Sequence, residues 1–248
     1  MELHIYKSAD EVITGLADFF VETVNSSIAK NGECNLVLSG GNSPKHLYEL
    51  LTSPSYKNKI DWHKIWFFFG DERCVPFTDK DNNGLMAKQS LFDPLNINES
   101  KIFYINTALN PAAAAADYAK KIIAHFGKNP VQFDLILLGL GDNAHTASLF
   151  PHTPVLYEMK ALMCAVFIEA LKSYRITMTA PLINESHEIV FLVYGASKAT
   201  AVYHIFKEEK DIQNYPAQLI EAEEGTVHWF LDDAASLLIK DIAKGQVK

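Results

Sequence analysis

The 248-residue chain is 48% hydrophobic and 21% charged, the balance of a globular protein with a sizeable core, and its length suits one large α/β domain over residues 1–248. A formal net charge of −8 leaves no basic surplus to neutralise phosphates, which argues against a nucleic-acid partner. Cys34, Cys74 and Cys164 form no CxxC pair, no basic and apolar leader opens the chain, and no apolar run approaches the ~20 residues that span a bilayer; the cysteines are read as reduced and mostly buried, and a cytoplasmic protein without a membrane anchor is expected.

A first strand is expected at Leu3–Tyr6. Ser8 with Glu11 three residues on makes a capping-box pattern, and Val12, Leu16, Phe19 or Phe20, Val24 and Ile28 recur at helical spacing until Asn31-Gly32 stops the helix. Asn35–Leu38 is a short apolar strand running into Ser39-Gly40-Gly41-Asn42-Ser43-Pro44, with Ser43 the expected N-cap and Pro44 the first residue of the next helix. Ile65–Gly70 reads as a buried strand that delivers Asp71-Glu72-Arg73, followed by a polar loop and a short helix toward Leu91. Ile102–Ile105 is predicted as a fourth strand and Pro111–Phe126 as an alanine-rich helix.

The apolar run Phe133–Leu138 has the character of a strand buried on both faces. It breaks at Gly139 and Gly141 into a turn carrying Asp142, Asn143 and His145, after which Thr146, Ala147 and Ser148 are expected to open a helix. Further strands are read at Ala161–Phe167, Tyr174–Thr179, Ile189–Tyr194 and Val227–Leu231. One helix follows Gly195-Ala196-Ser197-Lys198 to about Phe206, and another closes the chain from about Ala234 to Ile239. The alternation favours an open, largely parallel sheet with helices on both faces, with no internal repeat or linker.

Parallel strands share one carboxyl edge, so the loops at Ser39, Asp71 and Gly139–His145 should converge there. Adjacent glycines before a helix start make an anion cradle, although a plain strand-to-helix turn reads the same way; neither GK[ST] nor GxGxxG is present. Arg73 among its acidic neighbours reads singly as a salt-bridge partner holding its loop, and Arg175 and Lys198 near sheet edges read singly more often as surface cations; together with a glycine cradle the three would supply charge-assisted contacts to a phosphorylated ligand. A hydrogen-bonded structural role is the commoner fate of a histidine, but His145, alone among nine in a glycine turn at a strand end with hydroxyls following, is a candidate general base. The other histidines, among them His152 and His187, show no HExxH or comparable spacing, and no catalytic metal is expected.

The segments SGGNSPKHLYELL, WFFFGDERCVPFTDKDNN, LLGLGDNAHTASLFP, RITMTAPLIN and FLVYGASKA, in this order, resemble the 6-phosphogluconolactonase family from Leu3 to about Ser236. The resemblance implies the α/β fold of sugar-phosphate isomerases and deaminases, and hydrolysis of 6-phospho-D-glucono-1,5-lactone in the oxidative pentose phosphate pathway. It implies that His145 takes the proton of the attacking water, with Asn143 and Arg73 beside it in the catalytic group. Ser39, Gly40, Gly41, Ser43, Asp71, Thr146, Arg175 and Lys198 match substrate-side or phosphate-side positions. The implied partner is a small phosphorylated sugar lactone, with no cofactor.

Departures from the family pattern cluster at the histidine: Asn143-Ala144 stands where Asp-Gly is usual. A carboxylate there would orient the imidazole and raise its pKa, whereas an amide brings no charge. If the glycine position needs a positive φ, Ala144 costs roughly 1 kcal/mol. Asp142 is a candidate to supply the missing charge. The nearest rival, a glucosamine-6-phosphate deaminase-like isomerase, calls for an acid shortly after the histidine, where this chain has Ser148-Leu149-Phe150-Pro151 and no glutamate before Glu158. The other rival is a sugar-phosphate sensor that binds without turnover; no helix-turn-helix segment accompanies the sequence, and His145 is retained.

Overall fold

Short runs rich in β-branched and aromatic residues form the strands, and longer amphipathic runs wrap them. The computed structural model describes residues 1–243. In chain order these give β1 (Glu2–Tyr6), α1 (Ala9–Asn31), β2 (Cys34–Leu38), α2 (Asn42–Leu51), β3 (Ile65–Phe69), β4 (Asp71–Arg73), α3 (Asn83–Ala87) and α4 (Asp93–Leu95). Then come α5 (Pro111–Phe126), β5 (Leu135–Leu138), β6 (Met163–Ile168), β7 (Ser173–Met178), α6 (Ala180–Asn184), β8 (Glu188–Val193), α7 (Ala199–Lys207), β9 (Thr226–Asp232) and α8 (Lys240–Ala243). The predicted ends of α1 are in place: Ser8 Oγ accepts from Glu11 N, and Gly32 takes the left-handed conformation at φ 83° that a C-cap glycine supplies.

Six strands form one all-parallel sheet in the order β1-β9-β8-β5-β2-β3. Alternation along β9 shows how both faces are covered. Phe230 meets Phe19 of α1 at 5.4 Å between ring centroids, whereas Trp229 on the other face meets Phe206 of α7 at 5.1 Å. The open parallel sheet read from the alternation is thus present. A second, antiparallel sheet, β4-β7-β6, was not foreseen. Gly70 joins the two: its N–H donates to Leu38 O on β2 (3.0 Å) and its carbonyl accepts from Met178 N on β7 (2.8 Å).

Three expected elements differ. Ile102–Ile105 is not a strand: Ile102 makes a single bridge to Phe67, and the segment serves as a cover for the outer edge of β3, with Phe103 stacked on Phe68 at 4.5 Å. No helix opens at Thr146–Ser148; those residues form a tight turn with Leu149 N donating to Thr146 O. The closing helix begins later than Ala234, because Asp232 caps a turn there through Ala235 N (2.7 Å), and helical winding starts only at Leu237. Cys34 is buried, but Cys74 and Cys164 are only half-buried, and all three are free. Among the described residues, no helix is long and apolar enough to cross a membrane.

Candidate active site

The carboxyl ends of β2, β5 and β8, together with the inner edge of the antiparallel sheet, enclose a cleft of about 550 Å³. Its first wall is the cradle after β2. The Oη of Tyr48, a fully buried residue, donates to Ser39 O (2.9 Å) and accepts from Ser39 N (3.1 Å), so both backbone groups of Ser39 are fixed from α2. Gly41 adopts φ 105°, a conformation that favours glycine. At Gly40 a Cβ would lie 1.8 Å from Asn83 Oδ1, so the loop after β4 packs directly on the cradle. The expected cap is corrected: Gly41 is the N-cap of α2, no side chain closes the helix end, and Ser43 lies within the first turn. The uncapped first turn leaves its N–H groups for a ligand, and Asn42 and Ser43 line the cleft.

The second wall is Asp71-Glu72-Arg73. Glu72 is 3% exposed and turns inward, its carboxyl accepting from Arg73 N, Asn83 N (both 2.8 Å) and Gly84 N (2.9 Å). Burial pushes its pKa up to about 7 against the pull of those three N–H donors. Glu72 thereby clamps the 71–84 loop and sends its neighbours toward the cleft. Asp71 accepts from Ser148 Oγ at 2.6 Å. Arg73 faces Arg175 across the β4–β7 ladder and donates from Nη1 to Asp81 O at 2.7 Å. Arg175 Nε is buried without a partner among the described residues, and burial together with the charge of Arg73 lowers the pKa of its guanidinium. Two adjacent guanidinium groups in one wall make that wall favourable for an anion.

The third wall is the turn after β5. Ala144 has φ 57°, so the position that is usually glycine does require the left-handed region. The strain of about 1–2 kcal/mol is met by a buried methyl and by hydrogen bonds from Ala144 N to Gly141 O and from Ala217 N to Ala144 O, each 2.9 Å. Gly141 is needed for another reason: a Cβ there would lie 2.0 Å from Nδ1 of His145. The imidazole stacks on Phe150 at 3.9 Å between centroids and 16° between planes. Nδ1 of His145 lies 2.5 Å from Asn143 Oδ1, which also faces the His145 backbone N–H at 3.4 Å. An oxygen approached by that N–H is an acceptor, so Nδ1 carries the proton and Nε2 keeps its lone pair.

Burial lowers the His145 pKa to about 4, with Lys198 and Arg175 adding to the effect and Asp71 and, more weakly, Asp142 opposing it. The ring is therefore a neutral base near pH 7. Asp142 is drawn off into an ion pair with Lys198 at 2.6 Å, so Asp71 is the carboxylate that most supports the imidazole.

Of the sequence-selected residues, Ser39, Gly40, Gly41, Ser43, Asp71, Arg73, His145, Thr146, Arg175 and Lys198 all line this one cleft. Asn143 does not; it is exposed and acts from behind the imidazole. Thr146 lines the cleft, but its hydroxyl donates to Gly139 O (2.9 Å) and secures the strand end. Phe150, Glu72, Asn83 and Tyr48 shape the site without being among the sequence-selected residues. An aromatic five residues after a candidate base, in HTASLFP, was the available signal for Phe150. Nothing local distinguishes Glu72 from a solvated acid until its three backbone donors are seen.

A family model described as glucosamine-6-phosphate isomerases/6-phosphogluconolactonase matches residues 7–229. A 6-phosphogluconolactonase of Synechocystis sp. is 42% identical over 217 residues, covering 86% of this chain and 87% of that protein. A 6-phosphogluconolactonase of Nostoc sp. is 37% identical over 222 residues, covering 88% and 90%. Among solved structures, 6-phosphogluconolactonase from Trypanosoma cruzi superposes with a TM-score of 0.84 at 25% identity, covering 95% of this chain and 96% of the other.

Proposed function

The chain belongs to the glucosamine-6-phosphate isomerase/6-phosphogluconolactonase family, and from that premise we propose that it hydrolyses 6-phospho-D-glucono-1,5-lactone to 6-phosphogluconate, a step of the oxidative pentose phosphate pathway, with His145 as general base. The observation that carries this reading is one cleft lined by both a neutral imidazole whose Nε2 has no hydrogen-bond partner among the described residues and the facing pair Arg73 and Arg175. Cleft residues drawn from Ser39 to Lys198 support treating the chain as one catalytic domain. The unpaired cysteines suit a reducing, cytoplasmic setting.

A lactone is an activated ester, so a base and cationic stabilisation suffice without a covalent nucleophile. As the water oxygen bonds to C1, Nε2 of His145 takes one of its protons and the carbonyl electron pair moves onto the exocyclic oxygen. A guanidinium of the Arg73–Arg175 pair stabilises that oxyanion while the other cations hold the phosphate. The oxyanion then collapses, the bond from C1 to the ring oxygen breaks, and the imidazolium returns its proton to that oxygen. The carboxylic acid so formed loses its proton to solvent. Asn143 holds the Nδ1 proton throughout, and Phe150 keeps the ring plane fixed.

The deaminase-like alternative wants a carboxylate after the histidine. Ser148 instead spends its hydroxyl on Asp71, and no acid lies between His145 and Pro151. Acid release from freshly generated lactone and ammonia release from glucosamine 6-phosphate separate the readings. Rapid acid release without ammonia is expected; ammonia release, or binding of 6-phosphogluconate with no turnover of the lactone, would refute it.

A further inference from the structure

The α1 side of the six-stranded sheet, at its β1 edge, carries a cluster that lactone hydrolysis does not use. Glu2 and His4 are two apart on β1 and so share one face of the sheet, and His228 of β9 is the register partner of Glu2 on that same face. His4 Nε2 and His228 Nδ1 are 3.0 Å apart. A Glu2 carboxylate oxygen lies 3.8 Å from the first and 3.5 Å from the second. Bonds of about 2.0–2.1 Å in a tetrahedral zinc site put neighbouring donor atoms about 3.3 Å apart. The three atoms therefore already outline one face of such a tetrahedron.

His228 is held from behind by a carboxylate. Its Nε2 donates to Glu188 Oε2 at 2.7 Å, which fixes the tautomer and aims the Nδ1 lone pair at His4 and Glu2. A carboxylate behind a histidine in this way is the arrangement that orients and strengthens an imidazole ligand. The His228 side chain is 6% exposed and packs against Phe19 at 4.6 Å, while His4 stacks on Phe230 at 4.3 Å, so both rings are positioned by the core. Without an ion, one His must spend an N–H on the other. With one, His4 moves its proton to Nδ1 and offers Nε2, with no change in net protonation.

We infer that Glu2, His4 and His228 form a binding site for a divalent transition-metal ion of the zinc type, with water as fourth ligand on the exposed Glu2 side. Two imidazoles and one carboxylate select such an ion over calcium or magnesium, which prefer oxygen donors. Bound there, the ion ties the edge strand β1 to β9 and acts on stability. None of the three residues lines the cleft, and β9 and β8 lie between β1 and the strand that carries the His145 turn, a sideways separation of about 14 Å at the usual strand spacing, so the ion takes no part in the reaction.

The test is calorimetric titration of chelator-treated, tag-free protein with zinc chloride, alongside thermal unfolding with and without zinc. One ion per chain is expected, with a raised unfolding temperature. His4→Ala and Glu2→Gln, both at accessible positions, should weaken binding by at least about tenfold and remove the thermal shift. Glu188→Gln should weaken it by about 10–100-fold. Lactone hydrolysis should be unchanged in all three. An ion equivalent that survives undiminished in His4→Ala and Glu2→Gln, or no binding to the unaltered chain, would overturn the proposal.

Discussion

Replacing Asn143 by aspartate puts a carboxylate where the amide oxygen now stands, 2.5 Å from Nδ1 of His145. The amide fixes the tautomer but cannot stabilise the imidazolium, and burial holds the His145 pKa at about 4. An opposite charge at such range raises a pKa by about 1–3 units, and because Asn143 is exposed, solvent screening places the shift near the lower end. The base must be neutral to work, so kcat/KM rises with pH through this pKa and levels above it. In Asn143→Asp the acid limb should move from about 4 to about 5, so that the variant is relatively slower near pH 4 and at least as fast near pH 7. Initial rates with freshly generated lactone across that range measure it. The substrate phosphate titrates identically with both proteins and drops out of the comparison. An unmoved limb, or one shifted to lower pH, would refute the role given to the contact between Asn143 and Nδ1.

Arg175→Met removes one of two facing guanidinium groups, and since a charge-assisted hydrogen bond contributes about 1.5–3 kcal/mol, kcat/KM for the phosphorylated lactone should fall by about 10–100-fold. The same variant should matter little for unphosphorylated gluconolactone if its contact is with phosphate; an equal loss on both substrates assigns it to the lactone oxygen. Glu72→Gln turns one of the acceptors of three backbone N–H groups into a donor, and chemical denaturation should show a loss of about 1–3 kcal/mol. Because the Glu72 pKa is raised in the fold to about 7 from its ordinary 4.5, its stabilising contribution is full below the lower value and is lost as pH rises through the upper one. The stability gap between the parent and Glu72→Gln should therefore be larger at about pH 5 than at about pH 8, and a gap that widens with pH would contradict the buried, protonated carboxyl.

The strands of the parallel sheet were legible because strands buried on both faces are short, nearly continuous apolar runs bounded by turn residues, as in Ile65–Phe69 and Leu135–Leu138. Shared strand direction then brought Ser39, Asp71 and His145 to one edge without further information. Ile102–Ile105 has the same composition, yet it serves as a cover for an edge, which periodicity alone cannot distinguish from a strand. The antiparallel sheet escaped notice because β4 is only three residues, Asp71–Arg73, all charged; its pairing with β7 is a long-range fact. The same pairing is what sets Arg73 opposite Arg175. Ser43 and Thr146–Ser148 carry helix-start chemistry, but Gly41 and a turn took those places through their backbone angles and tertiary contacts. The strain at Ala144 was legible only as a condition, through the resemblance that puts glycine there; the backbone angle of 57° meets that condition.

His145 is placed to remove a proton from water in a cleft that binds a phosphorylated lactone. In His145→Ala, kcat/KM for 6-phospho-D-glucono-1,5-lactone and the dissociation constant of 6-phosphogluconate, measured on the same preparation, separate loss of the base from loss of the site. Loss of a general base typically lowers the rate by about 10²–10⁴, so at least a hundredfold fall with product binding retained is expected. Hydrolysis at the parent rate in that variant would rule out His145 as the base.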